Sequence, residues 1–180
     1  MQRDAVSTVC FYTAAYAAMN VGAFLVLTQL SGFDEKLRSL DDFTGLALKR
    51  PVLSALFAFF LLSLIGIPFT GGFFGKFYVF SAAVHGGYTW LAIVGLANSG
   101  VACFYYLRLL AALYARPTPN SVPDTLADTT PTRVTIPATL ALAATALATL
   151  FLGILPNHIL HLTQRATPTT IAQAPITSPK

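Results

Sequence analysis

One lysine, Lys76, is the residue of this sequence that is best placed to carry out chemistry. It lies in the stretch Gly75-Lys76-Phe77-Tyr78, well inside a long apolar segment. An ammonium group at membrane depth is costly unless water or a partner group solvates it. We therefore expect Lys76 to face a hydrated path or a carboxylate and to exchange protons there. The alternative is a lysine whose amine reaches the outer membrane interface along the helix.

A break in the same apolar segment precedes Lys76 by about two helical turns. Its residues are Gly66-Ile67-Pro68-Phe69-Thr70-Gly71-Gly72. Proline lacks an amide hydrogen and clashes with the preceding turn, and glycine permits unusual backbone angles. We predict an unwound stretch whose free carbonyls and amides favour water or ions, with Gly66, Pro68 and Thr70 as pathway residues beside Lys76. A simple proline kink is the alternative.

Two amide side chains, Asn20 and Asn98, are further pathway candidates, because an amide can order a chain of water molecules. Other polar side chains in the apolar segments are more typical of groups that hold helices together, and these are Thr13, Thr28, Gln29 and Ser99. No acidic residue lies within a predicted span, so the sequence offers no carboxylate partner for Lys76.

No catalytic set of a soluble enzyme is visible in the sequence. It contains no GxGxxG or Walker loop, no HExxH and no Ser/His/Asp grouping. The three histidines lie at or beyond the ends of the spans, without partner ligands at metal-binding spacing. We therefore predict no catalytic residue, metal, NAD, flavin, iron-sulfur cluster or quinone site in this chain.

The composition is that of a protein solvated by lipid. Apolar residues make up 55% of the 180 residues and charged residues only 10%, whereas a soluble domain has about 25% charged residues. The net charge of +4 comes from eleven Lys and Arg that lie mostly in the polar gaps. This distribution favours membrane topology and argues against a nucleic-acid partner.

Four apolar segments predict an all-α, polytopic membrane helix bundle of about four transmembrane helices. The spans cover about residues 5–30, 51–84, 89–114 and 134–155. The second span is too long for one straight helix, which at roughly 51 Å would far exceed the hydrocarbon core. We predict two half-helices, about Pro51–Ile67 and Gly71–Val84, broken at Gly66-Pro68.

We predict one transmembrane domain over residues 1–165, followed by a mobile polar tail over residues 166–180. The polar linker between the first two spans contains four Lys and Arg, and the gap around His85 contains none. Since positively charged loops stay cytoplasmic, both termini are predicted on the periplasmic side of a bacterial inner membrane.

Three stretches resemble the antiporter-like subunit N family of bacterial NADH-quinone oxidoreductase, respiratory complex I. The most specific one, Leu61-Leu62-Ser63-Leu64-Ile65-Gly66-Ile67-Pro68-Phe69-Thr70-Gly71-Gly72-Phe73-Phe74-Gly75-Lys76-Phe77-Tyr78, resembles the family's second broken helix. The segment from Phe11 to Phe24 is similar to another family helix, and Asn98-Ser99 with Tyr105-Tyr106-Leu107-Arg108 resembles the helix after the break.

This resemblance implies two inverted repeats with one broken helix each, and a central line of Lys, Glu and His residues that carries protons. It implies that Lys76 is the lysine at the outlet side of that path. The family's other central residues have no match here, so the chain is expected to be a truncated, split or partial subunit. Its implied partners are the other membrane subunits of a proton-translocating oxidoreductase, the lipid bilayer and protons, and the resemblance also implies that redox chemistry and electron transport belong to other subunits.

Two alternatives remain open at this stage. The chain is also compatible with a fragment of a related cation/proton antiporter or membrane-bound hydrogenase subunit. The missing carboxylate favours a second alternative, a non-transporting structural or vestigial membrane fragment.

Overall fold

The computed structural model describes residues 2–31, 37, 39–116 and 136–154, and in this part of the chain the secondary structure is entirely helical. The elements, in chain order, are α1 (Gln2–Ser31), a 3-10 helix (Leu40–Phe43), α2 (Leu46–Lys49), α3 (Pro51–Ile65), α4 (Gly71–His85), α5 (Thr89–Tyr114) and α6 (Ile136–Ile154). The predicted polar tail over residues 166–180 lies outside the described residues.

Among the residues that the structure describes, three helices are long and apolar enough to cross a membrane, namely Val6–Ser31 within α1, together with α5 and α6. The predicted third span coincides with α5, and α6 lies inside the predicted fourth span. The first helix begins at Gln2, three residues before the predicted start. The prediction of an all-α membrane bundle is confirmed.

The second predicted span consists of two separate helices. Both α3 and α4 contain 15 residues, so each is about 22 Å long and too short to cross the hydrocarbon core alone. Pro51 occupies the first turn of α3, as predicted. The segment between the two helices, residues 66–70, is called the helix break below.

The first half-helix ends at Ile65, two residues earlier than predicted. Gly66 adopts the left-handed conformation, with φ 99° and ψ 47°. The amide of Ile67 then donates to the carbonyl of Leu62 over 3.2 Å, which closes the last turn around the glycine. The glycine, which tolerates a positive φ, therefore ends the helix before Pro68 is reached.

Helix α1 is the centre of the bundle and packs against α3, α4 and α6. Its buried side chains join those of α3 in one core, whose main members are Ala15, Met19, Val26, Phe57, Phe60, Leu61 and Leu64. The side chain of Arg50, just before α3, donates to the carbonyl of Gln29 near the end of α1 over 2.9 Å. Helix α6 lies against the helix break, because a Cβ atom at Gly153 would collide with the carbonyl of Phe69.

Candidate functional site

The helix break leaves main-chain carbonyls at the end of α3 without helical partners. In a continuous helix, the carbonyl of Leu64 would accept from residue 68, but Pro68 has no amide hydrogen to donate. The carbonyl of Ile65 would accept from Phe69, which lies beyond the end of α3 and has a positive φ of 73°. Two acceptors at the negative end of the α3 dipole are thus free for another donor.

The ammonium group of Lys76 donates a hydrogen bond to each of these two carbonyls. Its Nζ atom lies 2.8 Å from the oxygen of Leu64 and 3.2 Å from that of Ile65. A third hydrogen bond, of 2.9 Å, joins Nζ to the Oγ atom of Ser99 on α5. These three bonds match the three donors of an ammonium group, and they hold the partly buried side chain between α3, α4 and α5.

Glycines on α4 bring Lys76 close enough to reach the end of α3. A Cβ atom at Gly72 would collide with the carbonyl oxygen of Ser63, so only glycine fits where α4 passes α3. A Cβ atom at Gly75 would lie 3.1 Å from the ring of Tyr12 on α1. The lysine follows directly after this closely packed turn, so the backbone approach fixes its position.

Two cavities meet at Lys76 and Ser99, and both residues line each of them. The larger cavity, of about 640 Å³, lies between α4 and α5 and extends to Ser81, His85 and Thr89. Its remaining lining is largely aromatic and aliphatic, including Phe73, Phe77, Phe80, Val84, Ile93 and Leu96. The cavity therefore has polar groups mainly at its two ends.

The smaller cavity, of about 220 Å³, lies on the other side of Lys76. Besides Lys76 and Ser99, its polar lining includes Asn98 and three tyrosines, Tyr12, Tyr16 and Tyr106. Hydroxyl and amide groups of this kind both donate and accept hydrogen bonds, and they are the groups that order water. The Lys76–Ser99 pair is thus the junction between a polar cavity and a mostly apolar one.

The predicted site residues fall into two groups. Gly66 ends α3 and, like Lys76, lines the larger cavity, while Asn98 lines the smaller one. Pro68 is itself exposed, and its contribution is that it offers no amide hydrogen to the carbonyl of Leu64.

The remaining two predicted residues line neither cavity. The hydroxyl of Thr70 donates to the carbonyl of Ile67 over 2.7 Å and so fastens the turn of the break. Asn20 lies one turn after Tyr16 on α1 and donates to its carbonyl over 2.8 Å. The structure therefore gives both side chains local backbone partners.

Sequence reasoning missed Ser99 and the tyrosines of the smaller cavity. The sequence analysis placed Ser99 among the groups that hold helices together, but the structure places its hydroxyl on the lysine. The available signal was the Asn98-Ser99 pair, two adjacent polar residues in an otherwise apolar helix. The tyrosines gave no such signal, because they come from two helices that are far apart in the sequence.

The partners of Lys76 are neutral. Among the described residues, they are two carbonyls and one hydroxyl, and no carboxylate contacts the amine. Dipoles therefore solvate the charge, and within the described ranges no fixed negative charge neutralises it.

Comparison with known proteins identifies the chain's relatives. A family profile described as "NADH:quinone oxidoreductase/Mrp antiporter, TM" matches residues 1–102. NADH-quinone oxidoreductase subunit N 1 of Solibacter usitatus is 44% identical over 155 residues, which are 86% of this chain and 31% of that protein. Subunit N of Trichlorobacter lovleyi is 41% identical over 160 residues, which are 89% of this chain and 31% of that protein.

The fold has a counterpart among solved structures. A chain of respiratory complex I from Thermus thermophilus with bound aureothin superimposes with a TM-score of 0.63 and 29% sequence identity. The match covers 86% of this chain and 34% of that one. This chain therefore spans about a third of the length of the relatives that it matches. It belongs to the NADH:quinone oxidoreductase/Mrp antiporter transmembrane family, and it is similar to subunit N of bacterial NADH-quinone oxidoreductases.

Proposed function

We propose that this chain forms part of a proton-translocating membrane subunit of an NADH-quinone oxidoreductase, in which Lys76 exchanges protons. The observation that carries the proposal is the position of the lysine amine at the junction of two cavities. There it donates to the carbonyls that the helix break leaves free and to Ser99.

This set of partners suits a group that gains and loses a proton. Removing the proton from a lysine paired with a buried carboxylate would leave that carboxylate without its counter-charge, which is very costly. Carbonyl dipoles at the end of α3 stabilise the ammonium form, and the two N–H groups of the neutral amine can still donate to both carbonyls. The hydroxyl of Ser99 accepts from the ammonium group and can donate to the lone pair of the neutral amine.

The proposed setting is the bacterial inner membrane, with both termini on the periplasmic side. The proposed partners are the other membrane subunits of the oxidoreductase and the lipid bilayer. The redox cofactors and the quinone lie in other subunits, and this chain supplies no cofactor ligand. Because the chain spans about a third of its relatives, the remaining part of the proton path comes from outside it.

The names of the relatives favour this function over the two alternatives. The relatives described above are subunit N of NADH-quinone oxidoreductase, although the family profile also includes Mrp antiporters. The combined lysine and helix break favour transport over a non-transporting structural fragment, since proton and ion carriers place discontinuous helices at their ion sites.

The test uses the enzyme isolated through an affinity tag on this chain. Other oxidoreductase subunits are expected to co-purify with it, and a tagged chain that isolates alone would contradict the proposal. In vesicles containing that enzyme, we expect Lys76→Ala to lower the number of protons pumped per NADH oxidised. The matched control is Arg116→Ala, which removes an exposed cation beyond the end of α5. Unchanged pumping by the Lys76→Ala enzyme would contradict the proposed role of the lysine in proton exchange.

A further inference from the structure

We propose that Ser99 is a proton-relay residue, whose hydroxyl passes protons between Lys76 and the larger cavity. This inference rests on the proposed function and assigns a second residue to the same path. In this inference, the proton passes from Lys76 on α4 to Ser99 on α5, a transfer between helices that the lysine alone does not provide.

The first argument comes from the chemistry of the three partners of Lys76. The carbonyl oxygens of Leu64 and Ile65 accept hydrogen bonds, but they have no proton of their own to pass on. The hydroxyl of Ser99, 2.9 Å from Nζ, both accepts and donates. Ser99 is thus the only one of these three partners that can take a proton on one side and release one on the other.

The second argument comes from the position of the pair. Ser99 lines both cavities, as Lys76 does. On one side lie Asn98 and the tyrosine hydroxyls, and on the other side the larger cavity extends toward Ser81 and His85. Rotation about a single Cβ–Oγ bond redirects the hydroxyl proton, so Ser99 can serve either cavity without a change in α5.

The transfer step conserves protons and charge. A proton leaves the Lys76 ammonium along the 2.9 Å hydrogen bond and binds Ser99 Oγ. At the same time, the original hydroxyl proton of Ser99 passes to a water molecule in the larger cavity. The products are a neutral amine, an intact serine hydroxyl and a protonated water. The hydroxyl now carries the former lysine proton and donates it to the neutral amine. A protonated water molecule that arrives through the smaller cavity then reprotonates the amine and leaves as neutral water. The hydroxyl rotates so that its proton again faces the larger cavity.

The experiment compares three serine variants in the assembled oxidoreductase, with Lys76→Ala alongside. We expect Ser99→Ala to lower the protons pumped per NADH oxidised to the level of Lys76→Ala, because the relay proton is lost. Ser99→Thr retains a hydroxyl at the same place and is expected to keep pumping close to that of the unmodified chain. The matched control is Ser54→Ala, which deletes a buried hydroxyl on α3 that has no hydrogen-bond partner among the described residues.

The outcomes separate the relay from the proposed function. Loss of pumping in Lys76→Ala with normal pumping in Ser99→Ala would overturn the relay and leave the proposed function intact. Normal pumping in both variants would overturn both. Co-purification of the other subunits with each variant shows that assembly is retained. If Ser99→Thr assembled but pumped no better than Ser99→Ala, the hydroxyl would not be the active feature and the relay would be overturned.

Discussion

The Nζ atom of Lys76 lies 2.8 Å from the carbonyl oxygen of Leu64, the acceptor that cannot pair with the proline four residues later. The helix break and the lysine are therefore a single structural unit, although they belong to different helices. The break frees the acceptor at the end of α3, and the lysine of α4 satisfies it. A cation at this place also complements the negative end of the α3 dipole.

This relationship predicts that Pro68→Ala weakens proton pumping while electron transfer continues. Proline in a helix interior is disfavoured by about 3 kcal/mol relative to alanine, so the substitution removes that much opposition to rewinding the break. The new amide can then compete with Lys76 for the Leu64 carbonyl. The measurement is the ratio of pumped protons to NADH oxidised in vesicles.

The matched control for this prediction is Pro51→Ala. Pro51 lies in the first turn of α3, where its missing amide hydrogen breaks no helical hydrogen bond. We expect this variant to pump normally. Equal pumping ratios for the two proline variants would show that the free Leu64 carbonyl does not matter to transport.

The close passage of α4 past α3 predicts a large difference between two Gly→Ala substitutions. In Gly72→Ala, the added methyl group meets the Ser63 carbonyl, and a backbone atom cannot move away as a flexible side chain could. We expect a loss of about 1–3 kcal/mol in the free energy of unfolding, typical of overpacking. In Gly100→Ala, nothing lies within 4 Å of the added methyl group, so we expect a gain of roughly 0.5–1 kcal/mol.

Denaturation of the detergent-solubilised chain, followed by helical circular dichroism, measures both changes. The same collision displaces Lys76, so Gly72→Ala is also expected to lower pumping. A Gly72→Ala variant as stable as Gly100→Ala would contradict the close approach of α4 to the Ser63 carbonyl.

The predicted orientation in the membrane can be tested with single cysteines. In a chain with both native cysteines replaced by serine, Tyr88→Cys lies in the gap between α4 and α5, and Leu48→Cys lies in the linker before α3. Both positions are well exposed, at 68% and 73%. We expect a membrane-impermeant maleimide to label only Tyr88→Cys in intact spheroplasts. Inside-out vesicles are expected to show the reverse, and labelling of Leu48→Cys in spheroplasts would contradict the orientation.

The sequence alone determined where the apolar helices lie and where the second span breaks, but not the short helices of the linker before α3. Apolar segments of membrane-spanning length give that information directly, and α5 begins and ends where the sequence analysis placed it. The break was equally visible, because proline and glycine act through the backbone of their own segment. Lys76 stood out for a similar local reason, as a charge in an apolar stretch.

Only the tertiary structure decided what Lys76 contacts. Its partners come from the end of α3 and from the middle of α5, and the angle between helices decides which side chains meet. No local pattern specifies that angle in a span whose residues are apolar on all sides. The close approach of Gly72 to Ser63 is of the same kind, since it depends on how α4 packs. The chemistry of the lysine was therefore readable in the sequence, and its pairing with Ser99 was not.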